Sequence, residues 1–132
     1  MLTLRRFLVS LVLLVTCICI DAPAFAQGQR PMTLVDLINV PQLSGPQLSP
    51  DGRQVIYTLS TADWKNNKRI AHIWRVDADG SDLVQLTNGP DGESAPRWSP
   101  DGKTIAFIAK RGDDETSQIY LLSNAGGEAL RL

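Results

Sequence analysis

Acyl transfer of the Ser-His-Asp kind needs a nucleophile, a base within hydrogen-bond reach and an acid that orients the base. The chain holds one histidine, His72. It opens a predicted strand, and in a second copy of the same pattern the matching residue is Gln118. A position that Gln fills equally well reads as structural. The Gly-x-Ser-x-Gly pattern that lifts an activated serine onto a sharp turn is absent, and "GESAP" from Gly92 comes nearest but lacks its second glycine. "DADGSD", residues 77–82, invites comparison with a calcium loop. Its Gly80 is fourth rather than sixth, and the matching "SNAGGE" keeps one carboxylate of three, so it reads as a hairpin turn. "GDDE", residues 112–115, reads as a solvated loop. With no glycine-rich phosphate loop and no metal-ligand cluster, the expected catalytic, cofactor-binding and metal residues are none, and no cofactor is expected. Trp74 and Trp98 fall on strands and read as core. Trp64, beside Lys65, Asn66 and Asn67, is the aromatic suited to a surface contact.

The elements that would position such residues repeat. "LSPDG" at Leu48 returns as "WSPDG" at Trp98, 50 residues on, and "HIWRVDADGSDLVQL" (72–86) returns as "QIYLLSNAGGEALRL" (118–132), offset by 46. The difference of four is expected in the connecting loop, "TADWKNNKRIA" against "RGDDETS". Each copy predicts four short strands. A first segment, 46–48 or 96–98, leads into Ser-Pro-Asp-Gly, where Pro presets φ, Asp bonds nearby N–H groups and Gly accepts φ > 0. A second strand follows, with Val55, Tyr57 and Leu59 matched by Ile105, Phe107 and Ala109. Its other face, Ile56 and Thr58 against Ala106 and Ile108, is largely apolar too, as in a sheet covered on both sides. A third and a fourth strand are joined by the tight "ADGS" or "NAGG" turn. Four antiparallel strands per 40–50 residues with two apolar faces predict an all-β chain with two four-stranded β-propeller blades over 46–132. A β-solenoid and a small β-sandwich are the other all-β solutions.

Ahead of the blades, residues 27–45 predict a short helix over 33–40, with Thr33 and Asp36 as a capping box and Pro41 as its stop. Residues 1–26 predict a cleaved signal peptide: Arg5 and Arg6, an uncharged apolar run over 7–20, then Ala24 and Ala26 before a cut at Gln27. That run is 14 residues, short of the roughly 20 a spanning helix needs. Both cysteines, Cys17 and Cys19, lie inside it. The expected product is exported, periplasmic or secreted, without disulfides and without a membrane partner after cleavage. A net charge of -1 gives no electrostatic footprint for nucleic acid.

"PQLSPDGRQVIYT" and "PRWSPDGKTIAFIAKR", followed by "IW" or "IY" and then "DADG" or "NAGG", resemble the PD40-type propeller repeats of exported serine peptidases of the prolyl oligopeptidase family, among them the acylaminoacyl- and dipeptidyl-peptidase-like members, and of periplasmic TolB-type propellers. In TolB-like proteins a separate α/β domain precedes the propeller. Here one short helix leads directly into the first blade, which resembles the peptidases. That resemblance implies a peptide substrate and a propeller that gates access to a C-terminal α/β-hydrolase domain carrying the triad; no triad residue has a matching position here. A closed propeller has four to eight blades and this chain supplies about two, so the remaining blades and the hydrolase domain are expected downstream. A non-enzymatic TolB-like binding propeller is the alternative. Apolar side chains such as Val55, Tyr57, Ile105 and Phe107 are expected to lack part of their neighbours.

Overall fold

Each Ser-Pro-Asp-Gly corner is a closed hydrogen-bond circuit. In the computed structural model, which describes residues 30–132, Ser49 Oγ donates to Asp51 Oδ1 (2.7 Å) and accepts from Gln54 N (2.9 Å), while Asp51 Oδ1 accepts from Arg53 N (3.1 Å). Ser99, Asp101, Lys103 and Thr104 repeat the circuit at 2.6, 2.9 and 3.1 Å. Gly52 and Gly102 each donate to the serine carbonyl at 2.9 Å, and at φ +73° and +69° they occupy the left-handed region where glycine is unstrained. The tetrad recurs because the corner needs all four residue types at once. The predicted signal peptide and its cut at Gln27 lie outside the described residues.

Strands β1 (Gln42–Leu48), β2 (Gln54–Asp63), β3 (Lys68–Asp77) and β4 (Val84–Gln85) form one antiparallel sheet, in that order. Strands β5 (Glu93–Trp98), β6 (Thr104–Ala109), β7 (Gln118–Ser123) and β8 (Leu130–Arg131) form the second. Two expectations need correction. The first strands begin at Gln42 and Glu93 rather than at residues 46 and 96, so blade one starts inside the segment assigned to 27–45. Proline ordinarily interrupts a strand, yet the pairing continues past Pro46 and Pro96 through a register skip, between Ser44 and Gln47 and between Ser94 and Arg97. Gly45 (φ +57°) and Ala95 (φ +52°) make the two bulges. The four extra residues of the first unit, moreover, are not in a longer loop. They lengthen the hairpin: β2 and β3 have 10 residues each, β6 and β7 only 6. The first connection is the tight turn 64–67, and the second is the longer loop 110–117.

The sheets pack through different faces. The first presents Ile56, Thr58 and Ile73, whereas the second presents Ile105, Phe107, Ala109, Tyr120 and Leu122, all buried. Ile73 joins Phe107, Ala109, Tyr120 and Leu122 in one cluster, where the Phe107 and Tyr120 rings stack at 5.9 Å. Ile105 and Phe107, expected to lack neighbours, are 0% and 1% exposed. Open apolar surface lies on the far face of the second sheet, at Ile108 (40%) and its cross-strand partner Ile119 (49%), and on the far face of the first, at Leu43 and Leu48, where Val55 and Tyr57 are half-buried. At the corner end the blades are tied by Arg75 Nη1 donating to Asn124 O (2.6 Å) and Oδ1 (2.7 Å), and by Asn124 Nδ2 donating to Gln54 Oε1 (2.9 Å). Trp74 and Trp98 are half-buried, and Trp98 Nε1 reaches Gln47 O at 3.3 Å.

Helix α1 (Leu34–Asn39) carries the expected capping box, with Asp36 N donating to Thr33 Oγ1 (3.2 Å) and Thr33 N to Asp36 Oδ2 (2.8 Å). None of its residues is buried. It is fastened to the long hairpin by Arg69, whose guanidinium donates to Ile38 O (2.9 Å), Val40 O (3.1 Å) and Ser60 O (2.6 Å). Trp64, 58% exposed, donates to Asn39 Oδ1 at 2.7 Å. No helix among the described residues is long and apolar enough to cross a membrane.

Candidate functional site

The most concentrated chemistry lies where blade one hands over to blade two. Glu93 opens β5 with a fully buried carboxylate. Its Oε2 accepts from Thr87 Oγ1 (2.6 Å) and meets His72 Nδ1 at 2.9 Å. Its Oε1 accepts from Gly89 N (2.7 Å) and Arg111 Nη2 (3.3 Å). Thr87 Oγ1 in turn accepts from Ile73 N at 2.9 Å. One carboxylate therefore joins β3, the linker, β5 and the β6–β7 loop. An unpaired carboxylate in such a setting would cost several kcal/mol, and four donors around two oxygens are what make it tolerable. A Cβ at Gly89 would meet the Glu93 carboxylate and force it to shift.

A second buried carboxylate sits close by. Asp114, expected within a solvated acidic loop, is 9% exposed, and only its neighbours Asp113 and Glu115 face water. It accepts from Tyr120 Oη (2.6 Å), Arg131 Nη1 (2.9 Å) and Arg111 N (3.1 Å). The Tyr120 hydroxyl, then the Arg111 backbone N–H, hold its pKa below the usual carboxylate value, and Asp114 pushes the Tyr120 phenol up. The Arg111 guanidinium lies over the Phe107 and Tyr120 rings, 5.3 and 5.1 Å from their centroids, linking the two carboxylates to the core.

His72 is tied into this clamp through Glu93, and Gln118, which the repeat offers as its equivalent, is not one. Gln118 Nε2 donates to Thr116 Oγ1 at 3.1 Å and reaches no carboxylate. The repeat counterpart of Glu93 is Leu43, which is 58% exposed. No motif in the sequence singles out Glu93. The available signal was a charge standing where the other repeat has leucine. Chemically the cluster is a clamp: Thr87, 4% exposed, spends its hydroxyl proton on Glu93. The carboxylates of "DADGSD" diverge, with Asp77 on Gln54, Asp79 on Ser81 and Asp82 on Arg75, around a hairpin turn closed by Gly80 N and Asp77 O.

The stacking of the sheets decides the architecture. Residue 56 is the repeat counterpart of 106, and 105 that of 55, so blade one offers one face and blade two the opposite one. Such head-to-tail contact leaves the Val55–Tyr57 face of the first sheet and the Ala106–Ile108 face of the second free for the same contact again, which closes into a ring when rotation per unit permits. Solved structures carry the same arrangement. The chain superposes on the acylaminoacyl peptidase of Pyrococcus horikoshii with a TM-score of 0.59, at 26% identity over 72% of this chain and 14% of that one. For the β-propeller domain of the Trilobed protease of Pyrococcus furiosus the TM-score is 0.52, at 26% identity over 70% of this chain and 27% of that one. These sheets are β-propeller blades.

The propeller likeness extends to TolB of Agrobacterium tumefaciens (TM-score 0.52, 26% identity, 68% of this chain and 32% of that one). In sequence, the blades are 35% identical over 101 residues to the peptidase YuxL of Bacillus subtilis, covering 76% of this chain and 15% of that protein. They are 41% identical over 71 residues to dipeptidyl-peptidase 5 of Porphyromonas gingivalis, covering 54% of this chain and 10% of the relative. No protein-family profile matches. The resemblance read from the Ser-Pro-Asp-Gly repeats therefore holds: the chain is similar to the propeller part of peptidases, and it spans about 15% of the length of YuxL.

Proposed function

We propose that these two blades begin the propeller of a longer exported serine peptidase of the prolyl oligopeptidase family, which hydrolyses peptides at a triad in a C-terminal α/β-hydrolase domain while the propeller gates access. The observation that carries the reading is the head-to-tail stacking with both outer faces left open, in a chain whose sequence relatives include peptidases several times its length. Export rests on the leader pattern of residues 1–26, and an amino terminus at Gln27, read by mass spectrometry on exported protein, is the expected product; an intact Met1 on cytoplasmic protein would refute export. To test the activity, the whole protein that carries these blades is incubated with chromogenic dipeptidyl and acylaminoacyl substrates. Turnover abolished by a serine-directed fluorophosphonate is expected. Absence of turnover together with retained binding of a protein partner would favour the second reading, a non-enzymatic binding propeller, for which the TolB likeness is the supporting observation.

A further inference from the structure

A cavity of about 410 Å³ opens beside the Glu93 cluster, lined by Leu86, Gly89, Arg111, Leu122, Glu128 and Ala129 among others. We propose that it binds a short zwitterionic peptide, of dipeptide size, with the carboxylate on Arg111, the ammonium on Glu128 and an aliphatic side chain against Leu86, Leu122 and Ala129. Its volume falls within the roughly 300–1,000 Å³ of small-molecule sites, and its wall sets an apolar patch of Leu86, Leu122 and Ala129 against polar Thr87, Arg111 and Glu128.

Arg111 is the reason to expect a carboxylate. Its guanidinium carbon lies 5.3 and 5.1 Å from the Phe107 and Tyr120 ring centroids, and these contacts with the bond to Glu93 position the side chain before any ligand arrives. It spends one N–H on Glu93, at 3.3 Å; the Nε–H is unpartnered but fully buried, so a ligand in the cavity bonds at the Nη end. Glu93, for its part, takes shorter contacts from Thr87, Gly89 and His72 and does not depend on Arg111 alone. The cation is thus incompletely paired while only 27% of its side chain meets water, a setting in which a charge-assisted bond to a carboxylate is strong. Glu128 makes the selection. It is exposed, forms no ion pair among the described residues, and is the other charged residue of the lining. A simple anion meets its repulsion; a free peptide, with an ammonium at one end and a carboxylate at the other, satisfies both. Gly89 and Gly127 keep the walls free of side chains.

The inference deepens the proposed function in one respect, since a peptidase releases such peptides, but its test needs no turnover. Ala-Leu is titrated into the ¹⁵N-labelled chain while the amide signals of Gly89, Gly112 and Gly127 are followed. Saturable shifts are expected for Ala-Leu and none for N-acetyl-Ala-Leu-amide. Glu128→Gln should weaken Ala-Leu by up to about fivefold, as for an exposed ion pair, and should strengthen N-acetyl-Ala-Leu, an anion that the Glu128 carboxylate repels. Arg111→Lys, which keeps the charge but loses the fork, should weaken both by about tenfold. Ala129→Phe fills the cavity without touching either charge and should abolish binding. Equal binding of the doubly blocked peptide, unchanged binding by Ala129→Phe, or no saturable shift would each overturn the proposal. If the whole protein hydrolyses nothing yet these shifts appear, the peptidase reading fails and the site stands.

Discussion

Replacing Glu93 by leucine installs the residue that the first repeat has at Leu43 and removes the carboxylate from the blade junction. Four groups then lose their acceptor: His72 Nδ1, Thr87 Oγ1, Gly89 N and Arg111 Nη2. They do not count equally. Water can reach the Arg111 side chain (27% exposed) and, less freely, that of His72 (14%), whereas Thr87 is 4% exposed. An unsatisfied buried polar group costs about 1–3 kcal/mol, and breaking a buried pair about 3–5 kcal/mol. With the exposed partners discounted, about 3 kcal/mol is expected for Glu93→Leu. Glu93→Gln should cost less, about 1 kcal/mol, because the amide oxygen can still accept from Gly89 and Arg111 while its NH₂ meets a hydroxyl and an imidazole that can both accept. Urea unfolding followed by tryptophan fluorescence measures both variants against the parent chain. A leucine variant within about 0.5 kcal/mol of the parent, or a glutamine variant less stable than the leucine one, would refute the clamp.

The bulges give a paired prediction. Gly45→Ala should lower stability by about 1 kcal/mol, since a Cβ there meets open space and only the left-handed φ is penalised, whereas Ala95→Gly should be neutral or slightly stabilising by the same unfolding assay; a loss at Ala95 equal to that at Gly45 would contradict the geometry. Hydrogen bonds hold the Asp51, Asp101 and Asp114 carboxyls below the ordinary value of 3.8, chiefly those from the Ser49, Ser99 and Tyr120 hydroxyls. Their contribution is therefore complete above the unfolded pKa and lost as pH falls through the lower folded values, and Asp114→Asn should flatten part of that acid limb in a pH series of unfolding midpoints. Tyr120 titrates above its ordinary value of 10.0, so its contribution is present below that pH and lost as pH rises through the folded value; Tyr120→Phe should remove that alkaline dependence.

How much of this was legible in the sequence follows from how local each device is. The tetrad corners could be read because Ser49, Asp51, Gly52 and Gln54 bond one another within six residues. The apolar alternation of β2 and β6 was also plain, but not that one blade would bury Ile56 and the next Ile105: that choice belongs to the stacking of two sheets, and each sequence segment offers both faces. The 10-residue hairpin was mistaken for a loop because residues 60–71 are mostly polar, as suits an arm that projects beyond the core. Asp114 looked solvated because its partners, Tyr120 and Arg131, stand on other elements. The Glu93 clamp was hidden for the same reason, drawing on residues from 72 to 111, and its one local trace was the mismatch with Leu43.

The central claim, that these blades open the propeller of a larger serine peptidase, is tested most directly on the native protein. An antibody raised against residues 46–132 captures it from its source, and the captured species is treated with a fluorophosphonate probe, resolved by mass and digested to locate the label. The account predicts a labelled species several times the 14.4 kDa of this chain, with the probe on a serine outside residues 1–132. A native species no larger than this chain, or a larger one that the probe leaves unlabelled, would contradict it.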